Sequence, residues 1–102
     1  MLSLNVRGIR TYEKRCTVLN WCKDQKADIY FFQETYSTKE IENLWRKQAK
    51  GKLFFSHGTN HSKGVMILLS NSLDFEIKNE LIDADGRFII LDVMIHKTLP
   101  FF

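Results

Sequence analysis

The chain has 102 residues, of which 44% are hydrophobic, 13% aromatic and 26% charged, with a single proline. This length allows one domain at most, and the composition predicts a packed core and excludes a disordered chain. The net charge of +3 and the pI near 9.0 are compatible with a polyanionic partner, and equally with an ordinary solvated surface.

Cysteine usage and the apolar segments limit where the protein can reside. Cys16 and Cys22 lie about 9 Å apart along one predicted helix, so they cannot form a disulfide within it. We therefore expect reduced thiols, an intracellular protein and no disulfide-linked partner. The first residues lack the basic and apolar regions of a signal peptide. No apolar window approaches the length of a membrane span, so no membrane partner is expected.

Two short strands are predicted near the start of the chain, each followed by a polar side chain. The first lies within residues 3–10 and carries Asn5 ahead of Gly8, which lets the backbone turn. The second is the apolar run Ile29–Phe32, typical of a strand buried on both faces, with Glu34 just past it. A helix between them completes a βαβ unit of about 30 residues. Its parallel strands would bring Asn5 and Glu34 together at one edge of the sheet.

Two helices are predicted from capping residues and apolar spacing. The first begins after Thr11 and runs to about Lys26. Its apolar stripe has helical spacing and consists of Tyr12, Cys16, Leu19 and Cys22. The second follows Ser37, which forms a capping-box pattern with Glu40, and is expected to stop near Gly51. The side chains that this helix should bury are Ile41, Leu44 and Trp45.

Four further strands are predicted at residues 53–55, 65–69, 75–81 and 88–95. The run 65–69 is the most apolar in the chain and predicts a central strand. Asp85-Gly86 is a hairpin signal between the last two strands. Residues 96–102 have no usable pattern, and Pro100 discourages further regular structure. The expected organisation is one α/β domain over residues 1–95 followed by the tail 96–102.

Two motifs in this order resemble a known enzyme superfamily. Leu-Asn-Val-Arg-Gly-Ile-Arg from Leu4 and Phe-Gln-Glu-Thr from Phe32 resemble the opening motifs of the endonuclease/exonuclease/phosphatase superfamily. That superfamily includes exodeoxyribonuclease III, the apurinic endonucleases and the endonuclease domains of LINE-type retrotransposons, which are the most similar. The patterns at 56–65 and 85–90 also resemble it, so the resemblance covers roughly residues 3–95. It implies the first half of a two-sheet α/β sandwich, truncated before its second half.

The resemblance also implies a chemistry, the magnesium-dependent hydrolysis of phosphodiester bonds in DNA. Glu34 would be the carboxylate that holds Mg²⁺ (or Mn²⁺), and Asn5 the amide that orients the attacking water or its base. The residues alone leave alternatives open: a capped strand end for Glu34, and a turn residue bonding its own backbone for Asn5. Arg7 and Arg10 are candidate contacts to DNA phosphates, or members of a solvated surface. A protein acting on DNA would be nuclear.

The motifs of the superfamily's second half are not matched. They comprise a tyrosine before Pro-Asn, an Asp-x-Asn motif and a terminal Ser-Asp-His, whereas the single proline here is Pro100 and Asp92 lies within a predicted strand. His57 and His61 follow no Ser-Asp pair, so both are predicted to be loop residues. We therefore expect a nuclease fragment that is inactive alone and binds Mg²⁺ weakly. The alternatives are a non-catalytic remnant, a weak nucleic-acid-binding module, or a phosphatase of the same superfamily.

Overall fold

A computed structural model describes residues 2–96 of the chain. The elements in this part of the chain are, in order, β1 (Leu2–Asn5), α1 (Tyr12–Gln25), β2 (Ile29–Gln33), α2 (Lys39–Gln48), β3 (Gly51–Ser56), β4 (Val65–Ser70), β5 (Phe75–Ile82) and β6 (Ile89–Ile95). The strands form a four-stranded sheet in the order β1-β2-β4-β3 and a two-stranded sheet of β5 and β6. The mixed α/β class with two sheets is therefore confirmed.

The four-stranded sheet combines parallel and antiparallel pairing. β1 and β2 are parallel neighbours connected through α1, as predicted, and their register pairs Asn5 with Gln33. β4 runs antiparallel between β2 and β3, which confirms the central position predicted from its apolar run. No helix in the described residues is long and apolar enough to cross a membrane.

Alternate side chains of β4 enter the two cores on opposite faces of the sheet. Met66 and Leu68 pack with Phe32 and Trp45 in the cluster beneath the helices. Ile67 and its neighbours on the other face pack against the β5–β6 hairpin, in a cluster completed by Phe54, Val65, Leu69 and Ile89. Fully burying a large apolar side chain contributes about 1.5–3 kcal/mol. Because β4 supplies such side chains to both clusters, both depend on this strand.

Helix α1 begins and ends as predicted but presents a different face to the core. The Thr11 side chain accepts a hydrogen bond from the Lys14 backbone N–H, which confirms the predicted cap. The predicted stripe is wrong at Tyr12, which is 63% exposed. Cys22 is buried as predicted, and Leu19 packs against the same core. The other buried residues of α1, Arg15 and Val18, lie outside the predicted stripe.

A buried arginine explains the shifted face of α1. The Arg15 guanidinium donates hydrogen bonds to Gln48 Oε1 and to the Arg10 carbonyl oxygen, both at 2.6 Å. These bonds compensate the burial of a charged group that apolar spacing would leave in solvent. A stripe read from apolar residues alone could not include Arg15.

Helix α2 begins one residue later than the capping-box pattern predicts. Its N-cap is Thr38, which makes no side-chain capping bond. Ser37 does not cap, because its hydroxyl is bonded to Thr35 and His57. The predicted capping box is therefore wrong.

The buried face and the end of α2 agree with prediction in part. Ile41 and Trp45 are buried as predicted, whereas Leu44 is 42% exposed. The helix ends at its C-cap Ala49. Gly51 does not stop the helix but opens β3.

The β5–β6 hairpin covers the second face of the sheet. Its strands pair antiparallel with an irregularity between Ile77 and Asn79. Gly86 lies in the turn at φ +76°, and a side chain there would come within 2.6 Å of the His57 carbonyl oxygen. The Asp85-Gly86 turn is confirmed, and its tip rests on the loop after β3. Of the predicted tail, residues 97–102 including Pro100 lie outside the described residues.

Candidate functional site

Asn5 and Glu34 meet at the carboxyl ends of the two parallel strands. Asn5 ends β1 opposite Gln33, the last residue of β2. Glu34, the residue after β2, therefore lies beside the Asn5 side chain. Asn5 Nδ2 donates a hydrogen bond to Glu34 Oε2. The predicted juxtaposition is confirmed, while the catalytic and metal-binding roles of the two residues remain predictions.

The backbone around this pair is unusually rich in left-handed conformations. Positive φ angles occur at Arg7 (49°), Glu34 (53°), Tyr36 (55°) and Lys63 (63°). A non-glycine residue in a sparsely populated region costs on the order of 1–3 kcal/mol and persists only where its surroundings hold it. One further such residue in the described chain, Lys26, ends α1. The residues with strained backbone are therefore concentrated around Glu34, at the carboxyl ends of β1 and β2.

Backbone hydrogen bonds hold the Glu34 segment from both sides. Gly8 N–H donates to the Glu34 carbonyl at 2.7 Å, and Ile9 N–H donates to the Thr35 carbonyl at 3.0 Å. On the other side, Thr35 N–H donates to the Gly64 carbonyl at 3.0 Å. The segment is thus fixed between the turn after β1 and the turn before β4.

Glycines allow these two turns to approach so closely. A side chain at Gly8 would lie 2.7 Å from the Tyr36 ring, and one at Gly64 would collide with Thr35 Oγ1. Both glycines have positive φ, +96° and +93°, which strains any other residue. Gly8 and Gly64 are therefore geometric requirements of these two turns.

A chain of hydrogen-bonded side chains lies behind Glu34. Thr35 Oγ1 donates to Ser37 Oγ at 2.9 Å, and Ser37 Oγ lies 3.1 Å from His57 Nδ1. His57 Nε2 lies 2.8 Å from Glu42 Oε1, and Arg46 Nε donates to Glu42 Oε2 at 3.3 Å. His57 lies in a loop, as the sequence predicts, but its place in this group is not predicted. No spacing motif marks it, because its members come from a strand end, a helix and a loop.

Glu42 is the charged end of this chain of side chains. Partial burial acts to raise its pKa, but hydrogen bonds from His57 and Arg46 outweigh that effect and leave the pKa below its ordinary value. Glu42 is therefore an ionised carboxylate at neutral pH. Its charge favours a hydrogen-bond donor at His57 Nε2.

The two predicted nucleic-acid-binding arginines have different environments. Arg7 is exposed at the turn after β1. Arg10 is half-buried and donates hydrogen bonds to Thr38 Oγ1 at 2.8 Å and to the Tyr36 carbonyl at 3.3 Å. Arg10 therefore supports the Glu34 loop, and contact of either arginine with nucleic acid remains a prediction.

The donor set at Glu34 fits a loosely held divalent cation. Mg²⁺ usually binds through one or two carboxylates and keeps several waters. One carboxylate and one amide meet that minimum. No group of three or more His, Cys, Asp or Glu side chains that could hold a metal ion occurs within residues 2–96. Binding of Mg²⁺ at Glu34 therefore remains a prediction.

A cavity of about 500 Å³ lies away from this pair. Its lining includes Tyr30 at the start of β2, Ser70 at the end of β4, and the lysines Lys23, Lys26 and Lys50. Tyr30 and Glu34 lie toward opposite ends of β2, so the cavity is at the other end of the strands from the Asn5–Glu34 pair. It contributes no residue to the candidate site.

No protein-family model matches this chain. A curated protein, the uncharacterized 149 kDa protein of transposon TX1 from Xenopus laevis, is 34% identical to it over 91 residues. The chain is similar to a transposon protein. The match covers 89% of this chain but spans about 7% of the length of that relative. The transposon part of the predicted resemblance is confirmed, and membership of the endonuclease superfamily remains a prediction.

Proposed function

We propose that this chain is the metal-binding part of a retrotransposon-type DNA endonuclease that hydrolyses phosphodiester bonds with Mg²⁺. The observation that carries the proposal is the hydrogen bond from Asn5 to the Glu34 carboxylate at the shared edge of two parallel strands. The similarity to a transposon protein and the left-handed backbone at Glu34 support it. A functional carboxylate accounts for strain that a plain strand end would not need.

Each residue of the pair has a part in this chemistry. A bound Mg²⁺ supplies charge neutralisation at the phosphate and a more acidic water. Glu34 would hold the metal through a carboxylate oxygen. Asn5 fixes the orientation of that carboxylate by donating to Oε2. The amide oxygen of Asn5 is then left to accept a hydrogen bond from the attacking water. Arg7, exposed at the same edge, is proposed to contact a DNA phosphate.

Metal mapping tests the proposed role of Glu34 directly. In ¹⁵N-labelled protein, Mn²⁺ should broaden the amide signals of Asn5 and Glu34 at the lowest metal concentrations. Glu34→Gln should abolish this broadening. Glu13→Gln is the matched control, because Glu13 is an exposed carboxylate in the first turn of α1. Broadening centred elsewhere, or unchanged in Glu34→Gln, would contradict the proposal.

A chimaera tests the activity in a longer chain. Residues 2–96 would replace the matched segment of the Xenopus transposon protein, and conversion of supercoiled plasmid to open circles would be measured with Mg²⁺. The chimaera should nick DNA and its Glu34→Ala form should not. Gln33→Ala is the control, since Gln33 is an exposed neighbour at the end of β2. A folded chimaera that nicks equally well without Glu34 would overturn the proposal.

A second candidate is a non-catalytic nucleic-acid-binding module. The small donor set within residues 2–96 and the net charge of +3 favour it. Such a module would bind DNA through phosphate contacts that weaken with salt. Its binding, measured by fluorescence anisotropy, would be the same in Mg²⁺ and EDTA and would fall in Arg7→Ala but not in Glu34→Gln. Under the nuclease proposal, DNA binding in Mg²⁺ should fall in Glu34→Gln.

A further inference from the structure

We propose that Thr35, Ser37, His57 and Glu42 form a hydrogen-bonded relay that positions Glu34 and couples its geometry to the protonation of His57. The inference rests on the proposed function, in which Glu34 is the metal ligand. The four relay residues are positioning residues, since each acts on Glu34 through the next. They would make metal binding at Glu34 dependent on pH in a range where carboxylates do not titrate.

The relay is continuous and its inner half is dry. Its three links measure 2.9 Å from Thr35 Oγ1 to Ser37 Oγ, 3.1 Å from Ser37 Oγ to His57 Nδ1, and 2.8 Å from His57 Nε2 to Glu42 Oε1. Thr35 and Ser37 are fully buried. The His57 ring also stacks on Phe55, with 5.1 Å between ring centroids. Water therefore cannot substitute for a lost partner at the inner end.

Counting donors and acceptors fixes the direction of the relay. Thr35 donates its hydroxyl proton to Ser37 Oγ, so the single hydroxyl proton of Ser37 is left for His57 Nδ1. Nδ1 then acts as an acceptor, and the proton of the neutral ring is on Nε2, facing Glu42. Each donor has an acceptor in this arrangement, as buried hydroxyl groups require.

Thr35 connects the relay to Glu34 through the peptide bond that they share. The Thr35 amide donates to the Gly64 carbonyl, and its carbonyl accepts from Ile9. Ser37 N–H also donates to Thr35 Oγ1, at 3.2 Å. A change in the Thr35 hydroxyl therefore acts on a peptide that is already fixed on both sides. The residues on either side of Thr35, Glu34 and Tyr36, both have left-handed φ angles, 53° and 55°.

Protonation of His57 conflicts with this arrangement. An imidazolium has two N–H donors, so Nδ1 would donate to Ser37 Oγ and the hydroxyl proton of Ser37 would lose its acceptor. In a fully buried site that loss destabilises the bond pattern and favours reorganisation around Thr35. Charged groups on the packed elements around His57 are Glu42 and Arg46 on α2, Lys52 on β3, Glu80 on β5, and Asp83, Asp85 and Arg87 in the hairpin turn.

A pH titration of the ¹⁵N-labelled full chain between about pH 5 and pH 8, where histidines titrate, tests the relay. At the upper end the His57 ring should show the Nε2–H tautomer. The amides of Glu34, Thr35 and Ser37 should shift with the same midpoint as the ring. Mn²⁺ broadening at Glu34 should weaken as pH falls through that midpoint. If His57 only filled space, a change in the protonation of its ring would not shift these three amide signals.

Two variants and a control make the result decisive. His57→Phe keeps a ring to stack on Phe55 but removes both nitrogens, so the three amides should lose their pH dependence. Glu42→Gln keeps the shape and an acceptor oxygen but removes the charge that favours the imidazolium, so the amide titration should move to lower pH. His61→Gln alters an exposed histidine of the same loop and should change nothing.

The outcomes separate the relay from the proposed function. Amides of Thr35 and Ser37 that do not follow the His57 ring in the native chain overturn the relay, whatever the metal does. Amides that follow the ring while Mn²⁺ broadens no signal at Glu34 support the relay and overturn the metal-binding role. If His57→Phe does not fold, Glu42→Gln carries the same test, and an unmoved titration in that variant overturns the relay.

Discussion

Glu34 is the one carboxylate at the end of β2, so the proposed metal site would have a low affinity. One carboxylate with one amide leaves most of the Mg²⁺ coordination to water. We expect a dissociation constant of about millimolar or weaker for the isolated chain, measured by NMR titration. Micromolar affinity would mean that further carboxylates, such as Asp83 or Asp92, complete the site. That outcome would be unexpected, because Asp83 is bonded to Arg87.

The left-handed backbone at Glu34 gives a second prediction. With φ at 53°, alanine at this position keeps the strain and glycine relieves it. We expect Glu34→Gly to be more stable than Glu34→Ala by about 1 kcal/mol, although both lose the carboxylate. Urea denaturation of the two variants measures the difference directly. Equal stabilities would show that the strain at this residue is not real.

At the scale of residues, the sequence predicted the pair but not the relay. Asn5 and Glu34 could be placed together because each follows a strand in one βαβ unit, and parallel strands share an edge. The sequence predicts a helix cap at Ser37, because serine is strongly preferred at that position. Its bond to His57 depends on how the loop after β3 folds back over α2. That arrangement is tertiary and leaves no periodic signal.

Among the elements, the β5–β6 hairpin contains the clearest pH-sensitive contact. The Asp83 carboxylate accepts hydrogen bonds from the Arg87 side chain and backbone, and the side-chain bond is the main reason that its pKa falls from 3.8 to about 2. A carboxyl whose pKa is depressed by folding stabilises the folded state above its unfolded pKa, and this contribution is lost as pH falls toward its folded pKa. The turn should therefore lose stability between about pH 4 and pH 2.

Asp83→Asn tests this prediction. The variant should be less stable than the native chain at pH 6, and the difference should shrink as pH falls to about 2. The measurement is the melting temperature by circular dichroism across that range. Asp85→Asn is the control, because Asp85 is exposed and lies 3.7 Å from Arg87. A difference that is independent of pH would contradict the assignment.

The elements themselves were largely predictable, and their buried faces less so. Apolar runs identified β2 and β4, and Thr11 marked the start of α1, because local sequence determines these features. The buried face of α1 agrees with prediction at Cys22 and differs at Tyr12 and Arg15, since Arg15 is buried through partners on α2 and in the preceding loop. A polar residue on the core side is decided by contacts between elements, which periodicity does not contain.

For the whole molecule, we predict that the purified chain does not nick plasmid DNA with Mg²⁺ faster than its Glu34→Ala variant. The family resemblance places a water-activating aspartate and a histidine in motifs that this sequence does not match. Loss of such groups typically removes several orders of magnitude in rate. Agarose-gel quantification of open-circle plasmid provides the measurement. Nicking that depends on Glu34 in this chain alone would show that those groups are not needed.

Stability is also a property of the whole chain. A truncated domain, as the family resemblance implies, is expected to leave the apolar runs 65–69 and 88–95 with too little to pack against. Every residue of Val65–Leu69 is nevertheless buried between the helices and the hairpin. The expectation holds for the hairpin, where Leu81, Ile90 and Met94 are 57%, 58% and 46% exposed. Exposed apolar residues on the outer face of this two-stranded sheet favour association with other chains.

We therefore expect concentration-dependent association and marginal stability of the isolated chain. Size-exclusion chromatography should show species larger than a monomer as concentration rises. Ile90→Lys, which places a charge on that surface, should shift the chain toward monomer, whereas Lys78→Glu, elsewhere on the hairpin, should not. A monomer at all concentrations, with a cooperative denaturation transition of ordinary steepness, would show that these 102 residues close their own core.

The strand order β1-β2-β4-β3 also governs when the protein can fold during its synthesis. β4 is the only partner of β3 in the described sheet and one of the two partners of β2, yet it is translated last of the four. Until Ser70 leaves the ribosome, β3 is an unpaired apolar strand, and the helical core lacks Met66 and Leu68. Until then the emerging chain exposes two helices and three strands that cannot pack stably. Chaperones that bind nascent apolar segments should encounter it throughout that interval.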